Sequence, residues 1–437
     1  MKVVIINKSD STGGAAVVSF RLMNALRRLG IDARMLVTEK RSDSPFVECA
    51  ASPSSIKRAF LAERLKIFLA NGMNRDDLFK VDTASDGLPL YRHKLVKEAD
   101  VICLNWVNQG FLSMKGLQKI LKLGKPVVWT MHDMWNFTGI CHHAGQCTRW
   151  LTNCGLCRFL GKNASPDDLS FSVWNNKQSV YQLGMKLSNS SGTRLHFIAV
   201  SNWLEQLARK SPLLAEAPLS VIPNAFPIGS EQISDFNESD NAKNTDSIEK
   251  NGKKFTIVMG AARLDDPVKG LPILVEATKV LQTKYPDEAS NIELVTFGNI
   301  KNPDSIDNIA IKHRHLGLIS GEENIRNVYR QCDAVISTSL YETLPGTLVE
   351  GQVYGCIPVS FGRGGQSDIV DHLDTGYIAQ WDDDIHAAAE HIADGIIWAK
   401  QQDKEEICRR MLESARSRFD APVIARKYLD LFHSLLS

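Results

Sequence analysis

The sequence predicts an α/β protein built from two doubly wound, parallel-sheet domains. Short apolar runs alternate with amphipathic helical stretches through the first half of the chain. An almost wholly polar stretch, residues 230–254, then interrupts the pattern, and the same alternation starts afresh behind it. A length of 437 residues suits two domains, each large enough for its own core.

The first strand is Val3–Ile6, followed by a polar, glycine-bearing turn from Ser9 to Gly14. Ala15–Leu29 reads as a helix with Val18, Leu22, Ala25 and Leu29 on one stripe, stopped by Gly30. Ala33–Val37, Val101–Leu104, Val127–Thr130 and Phe197–Val200 are further strands, apolar as in a parallel sheet covered on both faces. Residues 41–92 are less regular, and within them Lys57–Leu69 reads as a basic amphipathic helix. Such a helix either turns one face to the core or touches a membrane surface. The polar stretch from Ser230 to Lys254 reads as a solvated interdomain loop. The second array runs strand Phe255–Gly260, helix Leu271–Tyr285, strand Ile292–Phe297, helix Glu322–Gln331, strand Ala334–Ser337, then a turn, a helix and a strand near Cys356–Phe361. A last amphipathic helix spans Pro422–Leu436. The expected divisions are residues 1–225, a linker 226–254, residues 255–420, and a terminal helix 421–437 placed to cross back to the first domain.

Lysine plus arginine (51) nearly equals aspartate plus glutamate (50), and the formal charge of +1 argues against a dedicated nucleic-acid binder. Met1–Asn7 lacks the flanks of a secretory signal, and no stretch reaches the roughly 18 apolar residues of a membrane span. A cytosolic protein with mostly reduced cysteines is expected.

The most informative run is Ser337–Glu350. Glu342 falls in the turn after a strand, and Glu350 about one turn inside the next helix. Leu344, Pro345, Gly346 and Thr347 would present backbone N–H groups at the helix start, a seat for an anion. Two carboxylates flanking a phosphate seat suit a nucleotide-sugar. In the same half, Arg263 and Lys269 lie in the loop Gly260–Gly270, where two cations beside a helix start could stabilise a departing diphosphate. The plain readings are two surface cations, a helix-start acid and a charged helix residue. Gly13 and Gly14 open a helix and let backbone approach a ligand closely, though they form no G-x-G-x-x-G fingerprint. His132-Asp133 ends a strand, either as a hydrogen-bonded structural pair or as a site group. Cys141, Cys147, Cys154 and Cys157 cluster so that four thiolates would make a closed, structural zinc site. Reduced unliganded cysteines, a redox role or disulfides are the other readings. Gly364 and Gly365 suit a second ligand turn or a plain one, and Asp265-Asp266 reads as two loop aspartates.

The Glu342/Glu350 spacing resembles the donor-site signature of retaining glycosyltransferase family 4, and Arg263-x5-Lys269-Gly270 resembles that family's diphosphate clamp. Asn105-Trp106, His132–Gly139 and the cysteine loop resemble a bacterial subgroup that assembles exopolysaccharide, capsule or lipopolysaccharide, including colanic-acid-type enzymes. The resemblance implies a GT-B fold, two Rossmann-like domains facing across a cleft. It implies a nucleoside-diphosphate-sugar donor and a glycan or lipid-linked oligosaccharide acceptor, with no catalytic metal and no nucleic acid. It gives Arg263 and Lys269 the diphosphate, Glu350 the ribose, Glu342 the donor sugar, and His132 a place against that sugar, with the Gly13–Gly14 loop lining the site. The basic helix Lys57–Leu69 could touch a lipid-linked acceptor at a membrane surface, so the expected location is cytoplasmic, with peripheral contact at the inner membrane face as one reading. Family members often carry Gly-Phe-Gly-Leu-Pro where this chain has Thr343–Thr347, so donor preference does not transfer. A nucleotide-sugar epimerase would use the same donor clamp without a sugar acceptor, and a non-catalytic interaction protein would bind no nucleotide.

Overall fold

The computed structural model describes residues 1–188, 195–229 and 254–437. The expected polar linker therefore lies almost wholly outside the described residues. The chain divides into two compact units, Met1–Ala225 with Ile424–Ser437, and Phe226–Val423. The helix Ala421–Leu436 begins in the second, and from Ile424 onward its residues belong to the first.

The first unit holds a seven-stranded, wholly parallel sheet in the order β3-β2-β1-β4-β5-β6-β7. Its strands are β1 (Lys2–Ile6), β2 (Asp32–Val37), β3 (Val47–Cys49), β4 (Val101–Leu104), β5 (Val127–Met131), β6 (Leu195–Ala199) and β7 (Leu219–Val221). β4 and β5 are buried at every position, which is why they read as unbroken apolar runs. The chain moves outward through β2 and β3, then returns past β1 to build β4 to β7. The strand order reverses between β1 and β4, and ligands of open parallel sheets sit beyond the strand ends at such a reversal.

The second unit repeats the plan with six parallel strands, β10-β9-β8-β11-β12-β13. They are β8 (Phe255–Arg263), β9 (Ile292–Asn299), β10 (Lys312–His315), β11 (Ala334–Ser337), β12 (Ile357–Phe361) and β13 (Tyr377–Ala379). The reversal here lies between β8 and β11. Helices Leu271–Lys284 and Ile385–Lys400 cover the sheet, with Ile273, Leu274, Leu281, Ile392 and Ile396 buried against strand residues such as Ile257, Leu294 and Val359.

The helix expected at Lys57–Leu69 spans Pro53–Ala70, and its faces are reversed from a core-facing helix. Its buried residues include Glu63, Arg64 and Ile67, while Leu61, Leu65 and Leu69 are 51%, 58% and 60% exposed. Glu63 Oε1 accepts from the backbone N–H of Thr83 (2.9 Å) and Ala84 (2.6 Å), and Arg64 pairs with Asp82. These charges can be buried because each has a partner.

Candidate active site

In the second unit, the loop after β8 and the loop after β11 meet at the reversal point. Thr338 Oγ1 donates to the Lys269 carbonyl at 3.0 Å, and the Leu340 N–H donates to the Val268 carbonyl at 2.8 Å. Gly270, in the left-handed region at φ +66°, lets the loops approach, since a Cβ there would stand 2.1 Å from the Thr338 carbonyl oxygen. The contact delivers Lys269 Nζ to Glu342 Oε1 at 2.5 Å, with Ser339 Oγ donating to the same oxygen at 3.1 Å. Both partners keep part of their surface in solvent, 30% for Lys269 and 21% for Glu342.

The loop after β12 closes on this pair from another side. The Gly365 N–H donates to the Glu342 carbonyl at 2.8 Å, and a Cβ at Gly364 would lie 2.2 Å from that carbonyl oxygen. Arg363 stacks its guanidinium 3.9 Å over the Trp381 ring. Helix Gly346–Val353 starts behind Pro345, whose side chain offers no cap, and carries the half-buried Glu350. Arg263, at the end of β8, donates Nε to Asp265 Oδ1 at 3.1 Å. Asp265 also accepts from the Lys301 and Asn302 N–H groups, and Asp266 accepts from the Val268 N–H. The two aspartates thus act as loop anchors.

In the first unit, the groups expected from the sequence again lie beyond the ends of adjacent strands. Asn7, after β1, accepts from the Trp106 N–H at 3.0 Å through Oδ1, tying that turn to the loop after β4. Gly13, at φ +90°, precedes helix Gly14–Arg28, and nothing lies within 4 Å of a Cβ placed on Gly13 or Gly14. His132, after β5, donates Nε2–H to Asn105 Oδ1 at 2.9 Å. Burial outweighs the nearby Asp133 carboxylate and pushes the His132 imidazole down to about 4, so it is neutral near pH 7.

Asp133, expected as the partner of His132, is held by three other groups. Its Oδ2 accepts from His142 Nδ1 at 2.7 Å and Trp106 Nε1 at 3.1 Å, and its Oδ1 from the Trp135 N–H at 2.8 Å. His142 Nε2 reaches Asp82 Oδ2 at 2.6 Å. Burial alone would lower the His142 pKa, but Asp133 and Asp82 outweigh it and hold it up at about 10, so this ring is an imidazolium. Lys177, fully buried, donates to the Trp135 carbonyl at 2.5 Å and the Thr138 carbonyl at 3.1 Å. The cysteine loop contains no disulfide, and all nine cysteines of the chain are free thiols.

Residues 240–418 match the family model described as "Glycosyl transferases group 1". The second unit carries a group 1 glycosyl transferase domain. No curated protein matches the chain significantly. Among solved structures, HepE of Anabaena in complex with UDP-glucose is similar over 99% of this chain and 100% of its own, at 16% identity and a TM-score of 0.56. A glycosyltransferase from Rickettsia africae matches over 100% of this chain and 99% of its own, at 15% identity and a TM-score of 0.60. Sucrose-phosphate synthase from Thermosynechococcus elongatus gives the same four values. At such identities the likeness is one of fold, and the fold is that of GT-B glycosyltransferases, two parallel-sheet α/β domains.

Within the glycosyl transferase domain, the sequence marked Lys269 and Glu342, which the structure pairs. Arg263, Glu350 and the Leu344–Thr347 segment lie on the same strand-end loops and the helix that follows β11. Ser339, Thr338 and Arg363 went unmarked. Ser339 and Thr338 stand immediately before the Glu342 turn and differ from ordinary turn residues only through partners remote in sequence. Among the first-unit groups, the Asp82–His142–Asp133 bridge also went unmarked, because Asp82 lies 60 positions from His142.

Proposed function

We propose that this protein is a retaining glycosyltransferase that moves a sugar from a nucleoside-diphosphate-sugar to a growing, lipid-linked cell-surface glycan. The observation that carries the reading is the convergence of Lys269 and Glu342 at the strand-order reversal of the glycosyl transferase domain. In this reading Lys269 and Arg263 neutralise the diphosphate as it leaves, helped by the N–H groups at Gly346 and Thr347. Glu350 takes ribose hydroxyls, and Glu342, turned from Lys269 to the donor, takes sugar hydroxyls. His132 meets the donor sugar as a neutral hydrogen-bonding group. The Gly13–Gly14 turn, with open space around it, accommodates the substrates. The donor phosphate itself receives the acceptor proton, so no separate general base is required.

HepE, a neighbour in fold, is known bound to UDP-glucose, which supports a nucleotide-sugar donor. The resemblance of Asn105-Trp106, His132–Gly139 and the cysteine loop to polysaccharide-assembling enzymes supports the acceptor class. The leucine stripe of helix Pro53–Ala70, flanked by exposed Lys57, Arg58 and Lys66, supports peripheral contact with an anionic bilayer.

The test is a thermal-shift screen against nucleoside-diphosphate-sugars. Binding at a hundredfold excess over Kd adds about 2.7 kcal/mol of stability. A responsive donor is then incubated with a glycan acceptor, and the product anomer is read by NMR. Retained configuration is expected. Absence of a shift with every donor would overturn the donor assignment, and an inverted anomer the mechanism.

A further inference from the structure

We infer that Cys141, Cys147, Cys154 and Cys157 form a structural zinc site in the first unit, a tetrathiolate that fastens the loop following the candidate site residue His132. This is independent of the sugar-transfer reading.

Three of the thiols are tied to one region of the loop: Cys154 Sγ accepts from the Gly139 N–H, two residues before Cys141, at 3.1 Å. Two of them, Cys141 and Cys157, pack on a small satellite core of Ile67, Val81, Ile140, Leu160 and Val173. Four free thiols spaced C-x5-C-x6-C-x2-C in one loop are the ligand set of a closed tetrahedral zinc site.

The backbone between the last two cysteines is a strained turn. Cys154, Gly155 and Leu156 are consecutive left-handed residues, at φ +56°, +100° and +49°. For a residue with a Cβ that conformation is strained and persists where the surroundings over-determine it. The Leu156 side chain is 42% exposed, so apolar burial is not what holds the turn. Hydrogen bonds hold it: Gly155 N–H to Ser170 Oγ at 3.0 Å, Leu156 N–H to the Ser165 carbonyl at 2.7 Å, and Cys157 N–H to Asp168 Oδ2 at 2.8 Å.

The turn then presents sulfur to an N–H donor. Gly139 N–H donates to Cys154 Sγ at 3.1 Å. Such donors stabilise a thiolate far more than a thiol. The buried Lys177 lies within charge range of Cys141 and Cys154, and offsets part of the net −2 charge of a zinc tetrathiolate. Among the described residues no group of three or more His, Cys, Asp or Glu side chains stands close enough together to hold a metal ion. Binding therefore draws the sulfurs inward by side-chain rotation and releases the thiol protons to solvent. No coordination position is left for substrate, so the role is structural. Cys141 adjoins His142, so the metal would fix the imidazolium that bridges Asp82 and Asp133.

The test measures zinc per chain in full-length protein purified under reducing conditions without chelator, then titrates the thiols with a mercurial while recording zinc release. One zinc per chain is expected, freed as four thiols react. Replacing zinc with cobalt(II) should give the sulfur-to-metal charge-transfer and tetrahedral d–d absorption of a cobalt tetrathiolate. Cys154→Ser and Cys157→Ser should each lose at least tenfold in zinc affinity, while Cys49→Ser, at an exposed site, keeps full occupancy. If the variants fail to fold, the wild-type stoichiometry and cobalt spectrum still decide. Protein that is metal-free and takes up neither zinc nor cobalt, or a cobalt spectrum without thiolate bands, would overturn the proposal.

Discussion

Lys269 and Glu342, 73 positions apart in sequence, meet at 2.5 Å where the strand order of the second unit reverses. The pair is too exposed to contribute much stability, about 1 kcal/mol or less. Lys269→Ala and Glu342→Gln should therefore each melt within a few degrees of wild type. If the pair serves the donor diphosphate and sugar, each should lose about 10²–10³ in kcat. Turnover and melting temperature measured on the same preparations separate the two effects. Full turnover in either variant would remove that residue from the site.

Gly270 is the hinge on which that meeting depends. Gly270→Ala places a methyl 2.1 Å from the Thr338 carbonyl at φ +66°, so backbone must move as well as strain. A loss of about 1–3 kcal/mol in stability is expected. A rise in KM for the nucleotide-sugar should accompany it as Lys269 is carried away from Glu342. Denaturant unfolding and donor titration check both. Gly14→Ala, where a Cβ meets nothing within 4 Å and φ is not positive, is the matched control and should melt like wild type.

The strands legible in the sequence were those buried on both faces. β4 and β5 have no exposed position to break their apolar runs. β10, Lys312–His315, was invisible because it is a charged edge strand whose Lys312 and Arg314 pair with Glu293 of β9, a device that blunts an open edge. Helix Leu169–Ser188 was hidden for a different reason. Its inward stripe runs through Lys177, whose ammonium is satisfied by carbonyls that only the fold supplies. In the candidate site, residue type and spacing marked Lys269 and Glu342. What brings them together, the tight approach at Gly270 and the Thr338 bond, is a tertiary contact with no local signature.

The inverted helix Pro53–Ala70 yields two separable outcomes. Arg64→Leu leaves the buried Glu63 carboxylate without its cation and Asp82 with His142 alone, and should destabilise by about 3–5 kcal/mol. Leu61→Ser, Leu65→Ser and Leu69→Ser together remove solvent-exposed side chains and should leave the melting temperature unchanged. If the stripe docks on a bilayer, the triple variant should lose co-sedimentation with vesicles rich in anionic lipid. Wild-type protein that stays in the supernatant at low salt would remove the membrane contact.

His132 makes a pH prediction whose sign follows from its burial. Its folded pKa is about 4, against 6.5 for an ordinary imidazole. Between those values the unfolded chain binds a proton that the folded chain refuses, so stability rises with pH across the window and falls on acidification. The loss accumulates at about 1.4 kcal/mol per pH unit below 6.5 and levels off near 4. His142 titrates in the opposite sense above pH 6.5, and because variant and wild type both carry it, its contribution cancels in the comparison. His132→Asn removes the titrating ring while keeping a side chain able to donate to Asn105. Urea unfolding at pH 7.5 and pH 5 should show a smaller acid loss in the variant than in wild type, by about 2 kcal/mol. Equal losses would mean that the fold does not depress the His132 pKa, and the argument from burial for a neutral ring beside the donor sugar would fall with that result.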